Sequence, residues 1–347
     1  MNTELEAKLS GYIGCLSHKK ITSARRRFGS EADEDLLIPG VDPFLIDAEL
    51  KIASSKAIRR MLDKTQVLTA PHNLHVRKRI THCGEVTSTA TFIASILGLN
   101  VECVRAIALG HDMGHPPFGH DGEAFLNSLN PAKPFKHEVM GVVIGQHIER
   151  FGRGLNLTHE VLSGIVRDAW PVGTERPMSE EAKVVMWADR FAYVTGDYND
   201  MIRIGYPMGG DLEALMSVLG ENQRARINRL VVALVGESAV AGCVSFEKSQ
   251  TASSFFQVKE LLYKIYPTLN ASNAAHILAK IYDFIGKAVV GVDPAVVLAL
   301  MTDQDAVFLA NEPVLDYSRF AQTTVAEILP PLVVGKEICW WDPDLKW

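Results

Sequence analysis

The chain is predicted to be all-α on three observations. Apolar residues recur at helical spacing over several long windows, glycine and proline cluster where those windows stop, and no stretch keeps a period-two alternation. Its 347 residues, 47% hydrophobic and 22% charged, have ordinary globular make-up with ample material for a core.

The elements follow in order. Residues 3–17 read as a short amphipathic helix. The basic run after it (His18, Lys19, Lys20, Arg25, Arg26, Arg27) reads either as a solvated surface or as an anion-binding arm. Residues 28–46 hold Gly29, Pro39, Gly40 and Pro43 and read as a loop, followed by a helix from about Asp47 to Asp63. Over 80–98, Ile80, Cys83, Val86, Ala90, Ile93 and Leu97 share one face, and Gly98 is a good stop. The next helix runs from about Val101 into His111-Asp112 and is ended by Gly114, Pro116, Pro117 and Gly119.

A short helix from about 121 precedes Pro131 and Pro134. Another covers 136–150, and a third starts behind Thr158 as N-cap. Ser179 caps a long apolar helix with Glu180 and Glu181 in its first turn, where the dipole favours anions; it reaches about Ile204 through Gly196. Several more helices fill 211–328. The valine-rich 230–240 segment is the one place a strand could hide, and helix is the preferred reading. Residues 330–347, with proline and tryptophan, look like a packed tail. The organisation is an arm and loop over 1–46, a core over 47–205, and a C-terminal helical region over 206–347 packed on that core.

The net charge of −6 gives no global basic field of the kind that marks a nucleic-acid coat. Five scattered cysteines without CxxC spacing read as free thiols in a reducing compartment. The N-terminus does not read as a signal peptide, and no window of about 18 uninterrupted apolar residues predicts a membrane span. The expected location is the cytoplasm, with no membrane partner.

The chemistry is concentrated. Four of the eleven histidines (His82, His111, His115, His120) lie within 39 positions, and three share the stretch His111-Asp-Met-Gly-His-Pro-Pro-Phe-Gly-His120. Each alone has a bland reading: a core histidine, a helix-end His-Asp pair, a buried ion-pair aspartate. A rigid loop poor at packing is not explained by stability alone. Adjacent residues diverge by about 100° in a helix, but at a helix end His111 and Asp112 can both reach one ion. With His82 and Asp189 they make a nitrogen-and-oxygen set suited to manganese, iron, cobalt, nickel or zinc rather than an all-oxygen magnesium or calcium cage. His120 and Glu123, spaced i, i+3, can pair, and a carboxylate behind an imidazole suits a general acid. The bland alternative is a capping pair at a helix start. Asp189, Tyr193 and Asp197, spaced i, i+4, i+8, form a polar stripe on an otherwise apolar helix. Such a stripe lines a pocket or costs burial energy.

The order H…HD…D resembles the HD superfamily of metal-dependent phosphohydrolases. The flanking stretches SSKAIRRMLDKTQV, KRITHCGEV, AIALGHDMGHPPFGHDGE, LNLTHEVLSGI and VVMWADRFAYVTGDYNDMI are similar to bacterial dGTPase-like enzymes and to SAM-and-HD-domain dNTPases, over about residues 47–205. The resemblance implies an HD-domain helical bundle with additional C-terminal helices. It implies metal-dependent hydrolysis of a dNTP (dGTP or several dNTPs) to deoxynucleoside and inorganic triphosphate. It assigns the metal to His82, His111, Asp112 and Asp189, and the acid pair to His120 and Glu123. It sets His115 and His137 along the phosphates and Arg79, Arg190 and Lys64 against their charge. Gln66, Tyr193 and Asp197 would meet the deoxyribose. A magnesium ion on the substrate phosphates, a homo-oligomer (hexamer or tetramer), and an allosteric nucleotide or single-stranded DNA are further implied partners. Two positions depart from the family pattern: Gly196 stands where many relatives have a histidine, and Ile58 where phenylalanine precedes the paired arginines. The rival readings are an HD hydrolase acting on another nucleotide phosphate ester, and a nucleotide-sensing regulator without turnover.

Overall fold

The computed structural model describes residues 10–29, 40–68, 73–166, 178–269, 273–314, 316–330 and 337–347. Among them every regular element is a helix, joined by two isolated β-bridges, Arg26 with Thr158 and Thr65 with Lys78.

The predicted 47–63 helix starts earlier and is broken. Asp42 accepts from the Phe44 N–H ahead of Pro43, a helix start that the loop reading missed. From there α1 runs over Pro43–Leu45 and continues as a π-helix over Ile46–Ile52. Ser55 then caps a separate α2, Lys56–Arg60, accepting from the Ile58 N–H. The π-turn buries Asp47, which accepts from Arg26 at 2.6 Å and from the Thr158 N–H at 2.8 Å. Arg27 pairs with Asp344 at 2.5 Å. Arg26 is therefore an internal tie, whereas His18, Lys19, Lys20, Arg25 and Arg27 are exposed, as the solvated reading of the run expects. Of the predicted 3–17 helix, residues 3–9 lie outside the described ones, and 11–16 form turns. Gly14 and Leu16 N–H groups bond there to the Ile96 and Leu97 carbonyls.

Three helices make the frame of the site. The first, α3 (Arg79–Leu97), buries Cys83, Val86, Ala90, Ile93, Ala94 and Leu97, and ends at Gly98 with φ 80°. In α4 (Val101–Gly110) the Asn100 side chain caps the Glu102 and Cys103 N–H groups. Then α5 (His120–Leu129), α6 (His137–Val143, continued by a π-turn over Ile144–Ile148) and α7 (His159–Val166) follow. The long α8 (Glu180–Arg203) starts at Ser179, whose hydroxyl accepts from the Ala182 N–H. Helix α3 packs against α4 and α8, so residues distant in sequence converge.

After these come α9 (Gly210–Leu219), α10 (Gln223–Ala241), α11 (Gln250–Leu269), α12 (Ala274–Ala288), α13 (Pro294–Ala299), α14 (Asp303–Asn311) and α15 (Tyr317–Phe320). The 230–240 segment lies inside α10, with Leu230, Val231, Leu234 and Val235 buried on one helical face. Helix α11 packs against α8, α9 and α10, and α12 against α5, α13 and α14. The tail closes onto this body: Trp340 is buried and donates to Asp293 at 2.9 Å, and Trp347 donates to Gln146 at 3.1 Å. Cys83 and Cys103 are buried, and all five thiols are free. Among the described residues no helix is long and apolar enough to cross a membrane.

Candidate active site

At the end of α4 the chain turns through His111 and Asp112 against His82 of α3 and Asp189 of α8. One ligand atom each from His82, His111 and Asp112 fall within 4.8 Å of one another. Asp189 Oδ1 lies 2.9 Å from His82 Nε2 and 3.7 Å from His111 Nε2. His111 Nδ1 faces the Ala108 carbonyl at 2.6 Å, so it carries the proton and leaves the Nε2 lone pair for the cluster. That Nε2 is buried with no hydrogen-bond partner among the described residues. A lone pair stranded in a dry site is costly unless an ion meets it. The donor set therefore fits a divalent metal. Burial alone would push the His111 imidazole down, but Asp112 and Cys83 push it well above its ordinary value, so the pocket already favours a cation there. Against its burial, His111 and Arg79 hold the Asp112 carboxyl well below the carboxylate range. Arg79 Nη1 donates to Asp112 Oδ2 at 2.7 Å, and Arg79 is itself buried behind that carboxylate.

The loop that follows is built by close approach. A Cβ on Gly114 would meet the His137 carbonyl at 2.0 Å and the Gly141 nitrogen at 2.2 Å, so only glycine lets the loop seat on α6. This brings His115 onto His137 in a stack, ring centroids 3.6 Å apart and 18° from parallel. Burial, Arg79 and His137 hold His115 well below the ordinary imidazole value, so it is neutral. His137 is raised: burial acts against it, but Glu123 and Glu138 outweigh that. Glu123 accepts from the His137 ring at 3.0 Å and stands 3.5 Å from His120. The carboxylate predicted to serve His120 thus serves two histidines and holds His137 the more closely. Burial would raise Glu123, but His137 and His120 keep it well below the ordinary value. The His120 side chain is 70% exposed at the pocket mouth, unlike the others.

Apart from His111 and Glu123, these residues line one pocket of about 460 Å³ with Gln66, Phe118, Tyr193 and Asp197, and with Tyr263, Tyr266 and Pro267 of α11. Tyr193 and Tyr263 join hydroxyls at 3.1 Å. Asp197 is buried, accepts from Tyr266 at 2.8 Å and pairs with Arg77. Burial pushes its carboxyl above the ordinary value, against the pull of Arg77 and Tyr266.

Residues 79–194, which contain every one of the metal-set residues, match the HD domain family model. That stretch, about a third of the chain, is where this protein is similar to HD domains. It is 41% identical over 192 residues to a deoxyguanosinetriphosphate triphosphohydrolase-like protein of Clostridium tetani (strain Massachusetts / E88), the match covering 54% of each chain. A protein of the same description from Caldanaerobacter subterraneus subsp. tengcongensis is 38% identical over 218 residues, 62% of this chain and 63% of the relative. One from Clostridium perfringens (strain SM101 / Type A) is 40% identical over 190 residues, 54% and 55%. The matches thus span from about half to somewhat under two thirds of these relatives' lengths.

Two predicted phosphate contacts of the HD core do not line the pocket. Lys64 is buried, and its ammonium is taken up by the carbonyls of His115 and of Ala299 (3.0 Å for the latter). Burial, together with Arg60, lowers it well below the ordinary lysine value. Arg190 lies over the Trp187 ring, 4.9 Å from its centroid. Gln66 does line the pocket, with its side-chain oxygen buried and without a partner among the described residues. Sequence reasoning missed Arg77, Tyr263, Tyr266 and Asp303. The i, i+3 spacing of the two tyrosines was a signal that they share a helix face. Asp303, which accepts from the Thr65 N–H at 2.9 Å and the Phe118 N–H at 2.8 Å, left no local trace, because its partners are remote in sequence.

Proposed function

We propose that this protein hydrolyses a dNTP (dGTP or several dNTPs) to deoxynucleoside and inorganic triphosphate. A divalent transition metal would be held by His82, His111, Asp112 and Asp189. The observation that carries the reading is a single pocket lined both by His82, Asp112 and Asp189 of the metal set and by the Tyr193–Asp197 stripe. Asp189 and Asp197 are eight residues apart on one helix, about 12 Å along its axis. A phosphate joined to a furanose ring fits that run. The dGTP triphosphohydrolase-like relatives supply the substrate class.

When bound, the metal would polarise a phosphate oxygen and acidify water. The residues around it have separable tasks. Neutral His115 and His137, the latter drawn toward its charged form by Glu123, are stacked and offer N–H donors along the phosphates. His120, exposed at the mouth and within 3.5 Å of Glu123, is placed to protonate a departing 5′-oxygen. Arg79 steadies Asp112 and adds positive charge beside it. With Lys64 bonded to carbonyls, a second cation such as magnesium on the substrate phosphates is part of the proposal. Tyr193 and Asp197 meet the sugar, the ring excluding a 2′-hydroxyl and the carboxylate accepting from the 3′-hydroxyl.

The test is a turnover screen. Protein loaded with manganese, cobalt or iron, with and without magnesium, is incubated with each dNTP and NTP, singly and mixed, and the products are separated. Deoxynucleoside plus intact triphosphate is expected. His111→Ala should abolish it, and His120→Ala should slow it by about 10² to 10⁴. Diphosphate or monophosphate products would retain a phosphohydrolase and discard the triphosphate chemistry. No turnover with metal bound would favour a nucleotide-sensing role.

A further inference from the structure

Position 196 carries no side chain, and the structure shows what fills the space. A Cβ on Gly196 would lie 2.0 Å from Arg77 Nη1, 2.2 Å from its Cζ and 2.6 Å from Nη2. The Arg77 guanidinium therefore lies flat against the bare backbone of α8. It is buried, and each of its nitrogens is engaged. Nε donates to Asp200 at 2.7 Å; Nη1 donates to Glu85 and to the Ala192 carbonyl, both at 3.0 Å; Nη2 donates to Asp197 Oδ1. Tyr266 donates to the other Asp197 oxygen at 2.8 Å.

A carboxylate has about four lone-pair sites, so one donor on each oxygen leaves acceptor capacity on both. What the two donors remove is freedom of rotation. A planar guanidinium in a fixed fork sets the carboxylate plane in a way that a point charge does not. We propose that Arg77 is a positioning residue that fixes Asp197 as the acceptor for a substrate sugar hydroxyl, and that the glycine at 196 is what admits Arg77 there. The inference rests on the preceding reading that a nucleotide sugar meets Asp197. It adds that selection for the 3′-hydroxyl is set from behind the pocket, by a residue that never touches substrate. A sugar lacking that hydroxyl leaves a buried, oriented acceptor unmatched, which costs affinity.

Binding separates this inference from the hydrolysis reading. Each of the four dNTPs and its 2′,3′-dideoxy counterpart is titrated by calorimetry into metal-loaded protein. The variants Arg77→Ala, Arg77→Lys and Gly196→Ala are each compared in a His120→Ala background that spares the ligand. In the unaltered pocket the dNTP should bind about tenfold or more tightly than its dideoxy partner, the worth of one hydrogen bond to a charged group. Arg77→Ala should bring the two affinities together by weakening the dNTP alone. Gly196→Ala should do the same although alanine favours the helix, because its methyl displaces the guanidinium. Arg77→Lys should recover only part of the preference. Should Arg77→Ala fail to fold, Gly196→Ala decides. A ratio unchanged in the variants, or dNTP and dideoxy affinities falling together, overturns the inference. Failure of the His120-intact protein to release triphosphate while the ratio still collapses would overturn the hydrolysis reading and leave this one standing. No binding of any nucleotide overturns both.

Discussion

His111 joins two demands in one ring. Its Nδ1 proton is fixed by the Ala108 carbonyl, and its Nε2 is left buried and unmatched beside two carboxylates. An ion that binds the folded chain and not the unfolded one stabilises it by mass action, about 2.7 kcal/mol at a hundredfold excess over Kd. Adding manganese to chelator-treated protein should therefore raise the melting temperature by several degrees. His111→Ala should lose both the bound metal, measured by elemental analysis, and the shift. A shift that survives His111→Ala would mean that the ion binds elsewhere. The histidine cluster was legible in the sequence because four such residues in one short stretch have little use in packing. Sequence position alone does not fix side-chain direction: Lys64 donates to the Ala299 carbonyl and Arg190 lies over the Trp187 ring. Gly196 was visible as a departure from the family pattern, but its reason was not, since Arg77 lies 119 positions away.

At the scale of elements, the segment between α4 and α5 is held from outside itself. Phe118 has φ 62°, a conformation unfavourable for a bulky side chain, and its N–H is anchored by Asp303 at the start of α14. The same carboxylate holds both the N–H and the hydroxyl of Thr65, next to Gln66. Asp303→Ala would leave buried donors unmatched, a cost of about 1–3 kcal/mol each. It should lower the melting temperature and slow turnover together, since the loop carries His115 and leads into His120. Gly114→Ala should do likewise for a different reason, the collision with the His137 carbonyl. Denaturant melts and single-turnover rates check both. An Asp303→Ala protein with lowered stability but unaltered turnover would show that Asp303 is a brace for the fold alone. Long helices such as α3, α4 and α8 were legible from apolar spacing and caps. The break at 53–55 and the π-turns were not, because they depend on partners such as Arg26 and Thr158 that local periodicity does not register.

Over the whole molecule, the C-terminal helices complete a pocket whose proposed metal set lies within residues 79–194. Tyr263, Tyr266 and Pro267 of α11 form one wall of the pocket, and α14 anchors its loop. The residues after 210 carry no motif of their own, and the spacing of Tyr263 and Tyr266 marked a shared helix face without saying what it meets. The tail shows how such a region is fastened. Trp340 is 3% exposed, lies 5.7 Å from the Phe135 ring and donates to Asp293. Trp347 packs edge-on to His159 at 5.4 Å and bonds to Gln146, which in turn donates to the Pro343 carbonyl at 2.5 Å. Two uses are open to these tryptophans, an interface between copies or closure of the core. They differ in outcome. Trp340→Ala removes a large buried ring and a satisfied indole N–H, a loss of about 3–5 kcal/mol. That should appear as a fall in melting temperature on the order of 5 °C or more, independent of protein concentration. Sedimentation should be unchanged. A variant that melts like the parent but sediments as a smaller species would instead make Trp340 an interface residue and move the closing role to Leu345 and Trp347.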